Sequence, residues 1–309
     1  MQRITAEEER GGRMPLVSLG LPVYNGERYL EATFEALRSQ EFQDFEVIVS
    51  DNASEDGTGD LCKRYAAEDA RIRYFRNQAN IGAAPNFNLT FERARGRYFK
   101  WVSHDDLLEP GFLGACVEVL ERDPGVVLVH SEVDWIDAEG HFLCAYDPDL
   151  DDVASPRAPV RFRNLVESRH WCIDVFGLIR RDVLARTPLI ASYIGSDRNL
   201  LAELALYGRY QRIPEVLFHS RDHTDRSIRA LNMRERGGWF DPTLRDCITL
   251  PFWRSLCEYA RSIRRAPLRA GERLACYAAL PVGFWVTRRA LWVDLKVAAK
   301  QLLLRTQRG

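Results

Sequence analysis

LVSLGLPVYN (residues 16–25) and FEVIVSDN (residues 45–52) are the two stretches that decide the fold. Each starts with an apolar run of strand length and ends in polar residues, which is typical of buried strands in a sheet. The segment between them has helical periodicity, with an apolar face made of Leu30, Phe34 and Leu37. Strand, helix and strand in this order predict one parallel unit of an α/β fold.

The same alternation continues as far as residue 125. It predicts, in order, a helix at 58–68, a strand at 72–75, a helix after Pro85, a strand from Arg97 and a helix from Pro110. A Rossmann-like, mostly parallel central sheet with flanking helices follows, and ligands of such sheets bind at the carboxyl ends of the strands. Beyond Gly125 the pattern is less regular, with short strands, an acidic loop at 147–159 and a helix at 198–207.

The composition indicates a globular protein without a nucleic-acid partner. Of the 309 residues, 46% are hydrophobic, and 43 Lys plus Arg against 44 Asp plus Glu give a formal charge of -1. Proteins that bind nucleic acid usually present a basic surface instead. The seven cysteines show no CxxC spacing, so we expect reduced thiols in a cytosolic protein.

Neither end of the sequence predicts export or membrane crossing. Residues 1–13 are polar and acidic where a signal peptide has an apolar stretch, so we expect a mobile tail there. The apolar run at 277–286 is well short of the roughly 20 residues that span a bilayer. We therefore expect a cytoplasmic protein, and the basic C-terminal region adds the alternative of a peripheral position at the inner face of the plasma membrane.

Three strand ends carry polar residues that suit a nucleotide, namely Pro22-Val-Tyr24-Asn25, Asp51-Asn52 and His104-Asp105-Asp106. An aromatic ring such as Tyr24 offers a face for a base, and a carboxylate such as Asp51 accepts an N–H or a ribose hydroxyl. Adjacent carboxylates such as Asp105 and Asp106 repel each other unless a cation neutralises them, and Mg²⁺ or Mn²⁺ prefers carboxylate and phosphate oxygens. These residue types together predict a metal-bound diphosphate.

Four motifs, LPVYNGERYL, VSDNASEDGT, NIGAAPNFN and WVSHDD, occur in this order and spacing within the segment from Val17 to Phe218. They resemble the nucleotide-binding half of the family 2 glycosyltransferases, which are inverting enzymes with the GT-A fold. The resemblance implies transfer of a sugar from a nucleotide-diphospho-sugar to an acceptor hydroxyl, with Mg²⁺ or Mn²⁺ as cofactor. UDP is favoured because Tyr24 and Asp51 suit a pyrimidine. The implied acceptor is a saccharide or lipid-linked saccharide, in the synthesis of a polysaccharide or glycolipid.

The resemblance also implies a nucleotide-sugar site made of Pro22, Tyr24, Asn25, Asp51, Asn52, Asn80, Gly82, Asp105 and Arg226. Within it, Tyr24 borders the base, Asp51 contacts the base, and Asn80 with Gly82 shapes the ribose wall. The last Asp of the family's D-x-D signature binds the metal, which puts Asp106 on the cation and Asp105 beside the ribose. His104 stands where the signature has its first Asp, so we expect weaker metal binding.

The second half is expected to supply the catalytic base and the closing residues. The family base is an acid that precedes a helix, and GSDRNL at 195–200 resembles that setting, with Asp197 as the predicted base. A carboxylate at a helix N-terminus stays ionised and accepts the proton of an attacking hydroxyl. His223 is predicted to close over the metal or the diphosphate, and Arg226 to pair with phosphate oxygens through its fork of donors.

The predicted organisation has three parts. Residues 1–13 form a tail, residues 14–230 the GT-A domain, and residues 231–309 a helical basic and aromatic extension. The GT-A domain divides into a nucleotide-binding half at 14–125 and an acceptor half at 126–230.

The extension has two interpretations. Residues 254–309 carry 12 Lys plus Arg and three acids, interspersed with Trp, Phe and Leu. This composition is typical of amphipathic helices that lie on an anionic membrane surface. The alternative is that the apolar side chains dock on the catalytic domain or form a homodimer interface, with the Arg residues in solvent.

Other functions and simpler roles remain as alternatives. A Rossmann oxidoreductase is disfavoured because no G-x-G-x-x-G follows the first strand. A nucleotidyltransferase usually needs a Gly-rich basic loop, and a non-catalytic nucleotide-sugar-binding protein would keep the pocket without the base. Among single residues, Asp51 could form only a strand-end turn, Asp197 only a helix cap, and His223 and Arg226 ordinary surface groups.

Overall fold

The computed structural model describes residues 14–231, 233–244, 247 and 250–306, apart from the side chains of residues 227, 228, 233, 234, 286 and 300–306. The predicted tail at 1–13 lies outside the described residues. Strands and helices alternate along the first part of the chain, in the order β1 (Val17–Val23), α1 (Glu27–Arg38), β2 (Phe45–Asp51), α2 (Thr58–Glu68), β3 (Ile72–Arg76), α3 (Ala83–Glu92), β4 (Tyr98–Trp101), β5 (Leu107–Leu108) and α4 (Phe112–Arg122).

The second part is more mixed, as the irregular pattern after Gly125 predicts. Its elements are β6 (Val126–Ile136), β7 (Phe142–Tyr146), α5 (Ala158–Glu167), β8 (Leu178–Arg180), α6 (Arg181–Leu184), α7 (Ser196–Tyr207) and β9 (Arg209–Arg221). Helices dominate from there on, with α8 (Ser227–Ala230), α9 (Met233–Phe240), α10 (Pro251–Arg265) and α11 (Ala270–Thr306). The predicted helical extension is confirmed.

Nine strands of the described chain form one sheet. Their order is β3-β2-β1-β4-β8-β6-β9-β5, and β7 pairs with β6 beside this path. β1 is parallel to β2 and β4, β2 is parallel to β3, and β6 is parallel to β9. β8 runs antiparallel between β4 and β6, and thereby joins the two parallel parts. The predicted α/β fold with a mostly parallel sheet is confirmed.

Apolar side chains cover both faces of this sheet. Tyr98 and Phe99 are successive residues of β4, and they belong to two different buried clusters. Neighbouring side chains of a strand point to opposite faces, so each cluster lies on its own face. The predicted inner face of α1 is buried in one of them, through Leu30, Phe34 and Leu37.

Some element boundaries differ from the sequence-based expectation. α4 begins at Phe112 and not at Pro110, because the Pro110 carbonyl accepts the Glu41 N–H at 3.0 Å in a turn. The Leu113 N–H then donates to Gln40 Oε1 at 3.1 Å, which satisfies a free donor of the first helical turn. The acidic loop at 147–159 contains a short 3-10 helix and the start of α5.

α10 is attached to α7 by a buried ionic contact. Glu203 of α7 accepts hydrogen bonds from Arg265 Nη2 at 2.6 Å and from Ser262 Oγ at 2.8 Å. Asn199 of α7 donates through Nδ2 to the Ser255 carbonyl at 3.0 Å. α10 of the extension therefore docks on α7, and this agrees with the second interpretation of the extension, in which its helices pack on the rest of the chain.

α11 is attached both to α10 and to α5. Asp294 Oδ2 accepts the Phe252 N–H at 2.8 Å, so that α11 caps the start of α10. Gly283 lies so close to α5 that a Cβ there would meet Val166 Cγ1 at 2.6 Å. No helix in the described part of the chain is both long enough and apolar enough to cross a membrane.

Candidate active site

A cavity of about 1250 Å³ opens at the carboxyl ends of β1 and β4. The sequence-predicted residues that line it are Pro22, Tyr24, Asn25, Asn52, Asn80, Asp105, Asp106, His223 and Arg226. They come from four strand ends and from segments more than 200 residues apart in the sequence. The convergence follows from the parallel pairing of β1 with β2 and β4, which brings the ends of these strands to one edge.

The loop after β1 forms one wall of the cavity. The Asn25 N–H donates to Ser54 Oγ at 2.9 Å, and Asn25 Oδ1 accepts the Glu55 N–H at 2.9 Å. These two bonds fix the β1 loop against the β2 loop, with Asn25 in the left-handed region at φ 50°. Tyr24 is 40% exposed and presents its ring to the cavity.

Asp51 lies behind this wall and does not line the cavity. Its carboxylate accepts the Ser54 N–H at 2.8 Å, the Tyr74 hydroxyl at 2.7 Å and Arg76 Nη1 at 2.7 Å. The side chain is fully buried. In the structure Asp51 organises the β2 loop, and its expected contact with the base stays a prediction.

Asn52, Asn80 and Gly82 are joined in one hydrogen-bonded group. Asn52 Nδ2 donates to Asn80 Oδ1 at 2.9 Å and to the Gly82 carbonyl at 3.2 Å. Gly82 has φ +90°, a region that favours glycine, and a Cβ there would lie 2.5 Å from the Phe240 carbonyl oxygen. Gly82 is not one of the residues that line the cavity. Because it has no Cβ, the end of α9 can approach the site.

Asp105 and Asp106 are both buried and are held by β9 and the residues that follow it. The Arg221 N–H donates to Asp106 Oδ1 at 2.9 Å, and Arg221 Nε donates to the Asp105 carbonyl at 2.9 Å. His223 Nε2 lies 2.8 Å from Asp105 Oδ2. The structure therefore places the predicted closing histidine directly on the carboxylate pair.

The two carboxyl groups differ in their acidity. Burial raises the pKa of Asp106, and the neighbouring Asp105 charge raises it further. Burial acts in the same direction on Asp105, but the His104 charge and the hydrogen bonds from His223 and Ser103 outweigh it and lower the pKa of Asp105. A second negative charge at Asp106 is thus unfavourable unless a cation stabilises it.

The carboxylates and His223 fit a hard divalent cation whose remaining coordination positions are filled by oxygen atoms of the substrate. His223 Nδ1 is buried and has no hydrogen-bond partner, so a donor atom is available next to the two carboxylates. Among the described residues, no group of three or more His, Cys, Asp or Glu side chains forms a metal cage. Mg²⁺ typically takes one or two carboxylates and fills its remaining positions with phosphate and water oxygens. Asp106 and His223 would hold such an ion here.

Asp197, the predicted base, lies in the first turn of α7 and outside the cavity lining. Burial raises the pKa of its carboxyl group, although the Arg198 N–H donates to Oδ1 at 2.8 Å. The helix N-terminus is expected to favour the ionised form of this group, and burial acts against that effect. Its role as the base stays a prediction.

α9 covers part of the cavity, and no sequence pattern predicted this. α9 and the turn after it contribute the lining residues Glu235, Gly238, Trp239 and Pro242. Trp239 is 37% exposed, and its ring packs edge-on against Phe240 at 4.9 Å between centroids. A tryptophan in a polar helix has no distinguishing pattern in the sequence, so only the packing reveals this position.

Tyr29 and Arg28 are two further lining residues that sequence reasoning missed. The Tyr29 ring lies 4.8 Å from the His223 ring, and the Arg221 guanidinium lies 5.0 Å from the Tyr29 centroid. Arg28 Nη1 lies 3.6 Å from Asp225 Oδ2. Both residues start α1, where the periodicity indicated only a helix face.

Arg226 points into the cavity from the loop after β9. Its guanidinium also lies 4.8 Å from the ring centroid of Trp135 on β6. This stacking on an aromatic face fixes a permanent positive charge at the mouth of the site. Arg226 lines the cavity, which is compatible with the predicted contact between its guanidinium and a phosphate. This contact stays a prediction.

Comparison with solved structures identifies the fold. The fragment 1–349 of S. aureus TarS, solved in complex with UDP-GlcNAc, aligns with a TM-score of 0.66 at 14% identity, over 92% of this chain and 81% of that chain. Mannosyltransferase PcManGT of Pyrobaculum calidifontis, solved with GDP-Man and Mn²⁺, aligns with a TM-score of 0.52 at 20% identity, over 94% and 88%. The fold is accordingly GT-A-like, with added C-terminal helices.

Sequence comparison identifies the family. An uncharacterised glycosyltransferase of Rickettsia typhi is 31% identical over 136 residues, which are 44% of this chain and 42% of that protein. The chain spans less than half the length of the curated relatives that it matches. The family described as Glycosyl transferase family 2 matches residues 18–187, more than half of the sequence. This chain belongs to family 2 of the glycosyltransferases.

Proposed function

We propose that this protein is an inverting glycosyltransferase, which moves a sugar from a nucleotide-diphospho-sugar to an acceptor hydroxyl with the help of a divalent cation. One observation carries the proposal. Nine residues predicted from separate strand ends and loops line a single cavity, and a buried pair of carboxylates lies within it. A non-catalytic surface has no need for such a pair, because burying two adjacent acids is unfavourable without a cation.

The donor is proposed to lie with its base at Tyr24 and its diphosphate toward Arg226 and Asp106. Tyr24 offers an exposed ring in the cavity lining, and Arg226, stacked on Trp135, offers a cation in the same lining. We propose UDP as the nucleotide, because Tyr24 and Asp51 suit a pyrimidine, although the Asp51 carboxylate would have to leave Tyr74 and Arg76 to reach the base. TarS with UDP-GlcNAc and PcManGT with GDP-Man support a nucleotide-sugar of this general class.

Asp106 and His223 are proposed to hold Mg²⁺ or Mn²⁺, with Asp105 beside the ribose. PcManGT with Mn²⁺ supports a divalent ion in this fold. When bound, the ion would supply positive charge against the negative charge that builds on the departing diphosphate. The Arg221 N–H and His223 keep the two carboxylates in place for this purpose.

Asp197 is proposed to accept the proton of the acceptor hydroxyl. A raised pKa makes its carboxylate a better base for a hydroxyl proton than an exposed aspartate would be. Arg226 would stabilise the departing diphosphate at the same moment. Attack by the acceptor oxygen on the face opposite the leaving group inverts the anomeric carbon, so no covalent sugar–enzyme intermediate is needed.

We propose a saccharide or a lipid-linked saccharide as the acceptor, in the synthesis of a polysaccharide or glycolipid. The cavity volume of about 1250 Å³ leaves room for an acceptor beside the nucleotide-sugar, and residues of α9 line part of it. The resemblance to family 2 supports this acceptor class, and the pathway follows from it.

Calorimetric titration tests the donor and the cation together. UDP, dTDP and GDP are each titrated into the protein with and without Mn²⁺. We expect UDP to bind most tightly, and Mn²⁺ to increase the affinity. The matched control is Asp182→Asn, an exposed acid in a pair with Arg186, which should leave both affinities unchanged. If no nucleotide binds more tightly with Mn²⁺, the proposed site is wrong.

A further inference from the structure

α11 presents an exposed apolar stripe that its packing does not use. Leu274, Trp285 and Trp292 are 72%, 64% and 65% exposed. Their spacings of 11 and 7 residues place them within about 20° of one line along a helix with 100° per residue. Large apolar side chains that share a line and face solvent mark an interaction surface.

Basic side chains alternate with this stripe. Arg288, Arg289 and Lys296 lie within about 60° of the same line, given their positions in the helix. The Arg288 guanidinium lies 4.1 Å from the Trp285 ring centroid. α11 contains only two acids, Glu272 and Asp294, and Asp294 is buried. We call Leu274, Trp285, Arg288, Arg289, Trp292 and Lys296 together the tryptophan face.

The opposite side of α11 is fixed to the protein, so the tryptophan face cannot turn inward. Cys276 and Leu291 are buried there, and Asp294 caps α10. Gly283 allows the backbone to touch Val166 of α5. Rotation of the helix would expose these groups and break the cap on α10. Exposure of the tryptophan face is therefore a consequence of how the helix is anchored.

We propose that the tryptophan face binds the surface of a membrane that contains anionic lipid. Tryptophan rings are favoured at the boundary between headgroups and acyl chains, and basic side chains beside them bind anionic headgroups. Each Arg or Lys near such a surface adds affinity that salt weakens. The tryptophan face has the basic and apolar side chains that bind such a surface, and no helix among the described residues is long and apolar enough to cross a membrane.

A second copy of the chain fits this face less well than lipid does. A twofold interface brings the same residues of both subunits together. The basic residues Arg288, Arg289 and Lys296 of both subunits would then lie in one interface, and the tryptophan face contains no acid to pair with them. Lipid phosphate and carboxylate groups supply the missing negative charge.

The binding surface is connected to the candidate active site through packed helices. α11 caps α10, and α10 is bound to Glu203 and Asn199 of α7. Asp197 begins the same helix α7. A membrane on the tryptophan face would therefore hold the proposed base at a fixed height above the lipid, which suits an acceptor carried on a lipid. The binding itself does not depend on the proposed transfer reaction.

Vesicle co-sedimentation of the full chain tests this proposal. Vesicles of phosphatidylcholine alone are compared with vesicles of phosphatidylcholine mixed with phosphatidylserine. We expect binding to the mixed vesicles, weaker binding at high salt, and little binding to the neutral ones. Changing Arg288, Arg289 and Lys296 together to Gln should lower the affinity on the order of a hundredfold, since each basic residue contributes about 1 kcal/mol.

Two further variants complete the design. Trp285→Ser with Trp292→Ser should also lose most of the binding, whereas Trp171→Ser, a matched tryptophan that is 63% exposed on another part of the surface, should keep it. Unfolding curves and UDP titration show whether each variant is folded. Equal binding to neutral vesicles, or unchanged binding of the triple variant, would overturn the proposal. A dimer that separates in the double tryptophan variant would assign the face to a second copy of the chain.

Discussion

The cavity and the tryptophan face are built in opposite ways. The cavity gathers Asn25, Asp106 and His223 from distant parts of the chain, and a hydrogen bond fixes each of them. The tryptophan face takes its residues from one helix, and they remain exposed because the other side of that helix is anchored. A catalytic site thus needs the topology of the sheet, whereas a surface for lipid needs only helical periodicity and an anchor.

Asp197→Asn should have the largest effect, because it removes the base proposed for the reaction in the cavity, although Asp197 itself lies outside the cavity lining. Loss of a general base lowers the rate by about a hundred- to ten-thousandfold. UDP release from a UDP-sugar donor measures turnover, and calorimetry should show unchanged nucleotide affinity. Asp182→Asn serves as the control, since that acid is exposed. Equal activity in Asp197→Asn would reject this base, and loss of nucleotide binding would point to a structural role.

Glu203→Ala should have the next largest effect. It weakens the contact between α7 and α10, which connects the cavity to the tryptophan face. Glu203 is buried and pairs with Arg265, so its removal leaves a partly buried guanidinium with a weaker partner. We expect the free energy of unfolding to fall by about 3 kcal/mol. Glu118→Ala, which removes an exposed pair with Arg122, should change it by about 0.5 kcal/mol or less. Equal losses in urea unfolding would show that the contact does not anchor α10.

Gly82→Ala should disturb the cover of the cavity. The new Cβ would meet the Phe240 carbonyl at 2.5 Å, and φ +90° is strained for alanine. We expect a loss of about 2 kcal/mol in stability and weaker UDP binding, because the segment after α9 has to move. Gly111→Ala is the matched control, since nothing lies within 4 Å of its added Cβ and its φ is -81°. Unchanged UDP binding in Gly82→Ala would separate the cover from the donor site.

Buried Lys100 should make the free energy of unfolding depend on pH. Burial lowers the pKa of Lys100 to about 7 from an ordinary value of 10.5. Between these values the unfolded chain binds a proton that the folded protein does not, so the free energy of unfolding should rise with pH by about 1.4 kcal/mol per unit. Lys100→Met should remove this rise. Urea unfolding of both proteins across this interval measures it, and parallel curves would contradict the lowered pKa of Lys100.

The sequence predicted the elements of the fold better than the contacts of the site. The helix at 58–68 and the inner face of α1 were confirmed, because apolar periodicity determines both. The antiparallel insertion of β8 was not predicted. β8 has only three residues, and its pairing depends on two strands far away in the sequence.

Two predicted site residues lie at the expected positions but have surroundings that the local sequence does not reveal. Asp51 sits at the expected strand end, but Tyr74 and Arg76 of β3 draw its carboxylate away from the cavity. Asp197 sits at the expected start of a helix, yet burial raises its pKa. In both cases the decisive neighbours come from other elements, so a motif indicates the position and not the surroundings.

Asp106 is proposed to hold a cation against the donor diphosphate inside the cavity. Calorimetric titration of UDP into Asp106→Ala and wild type, each with and without Mn²⁺, measures this role. We predict that Mn²⁺ tightens UDP binding to the wild type and has no effect on Asp106→Ala, while Asp105→Ala keeps part of the tightening. If Asp106→Ala keeps the full Mn²⁺ effect, the cation lies elsewhere and Asp106 is not its ligand.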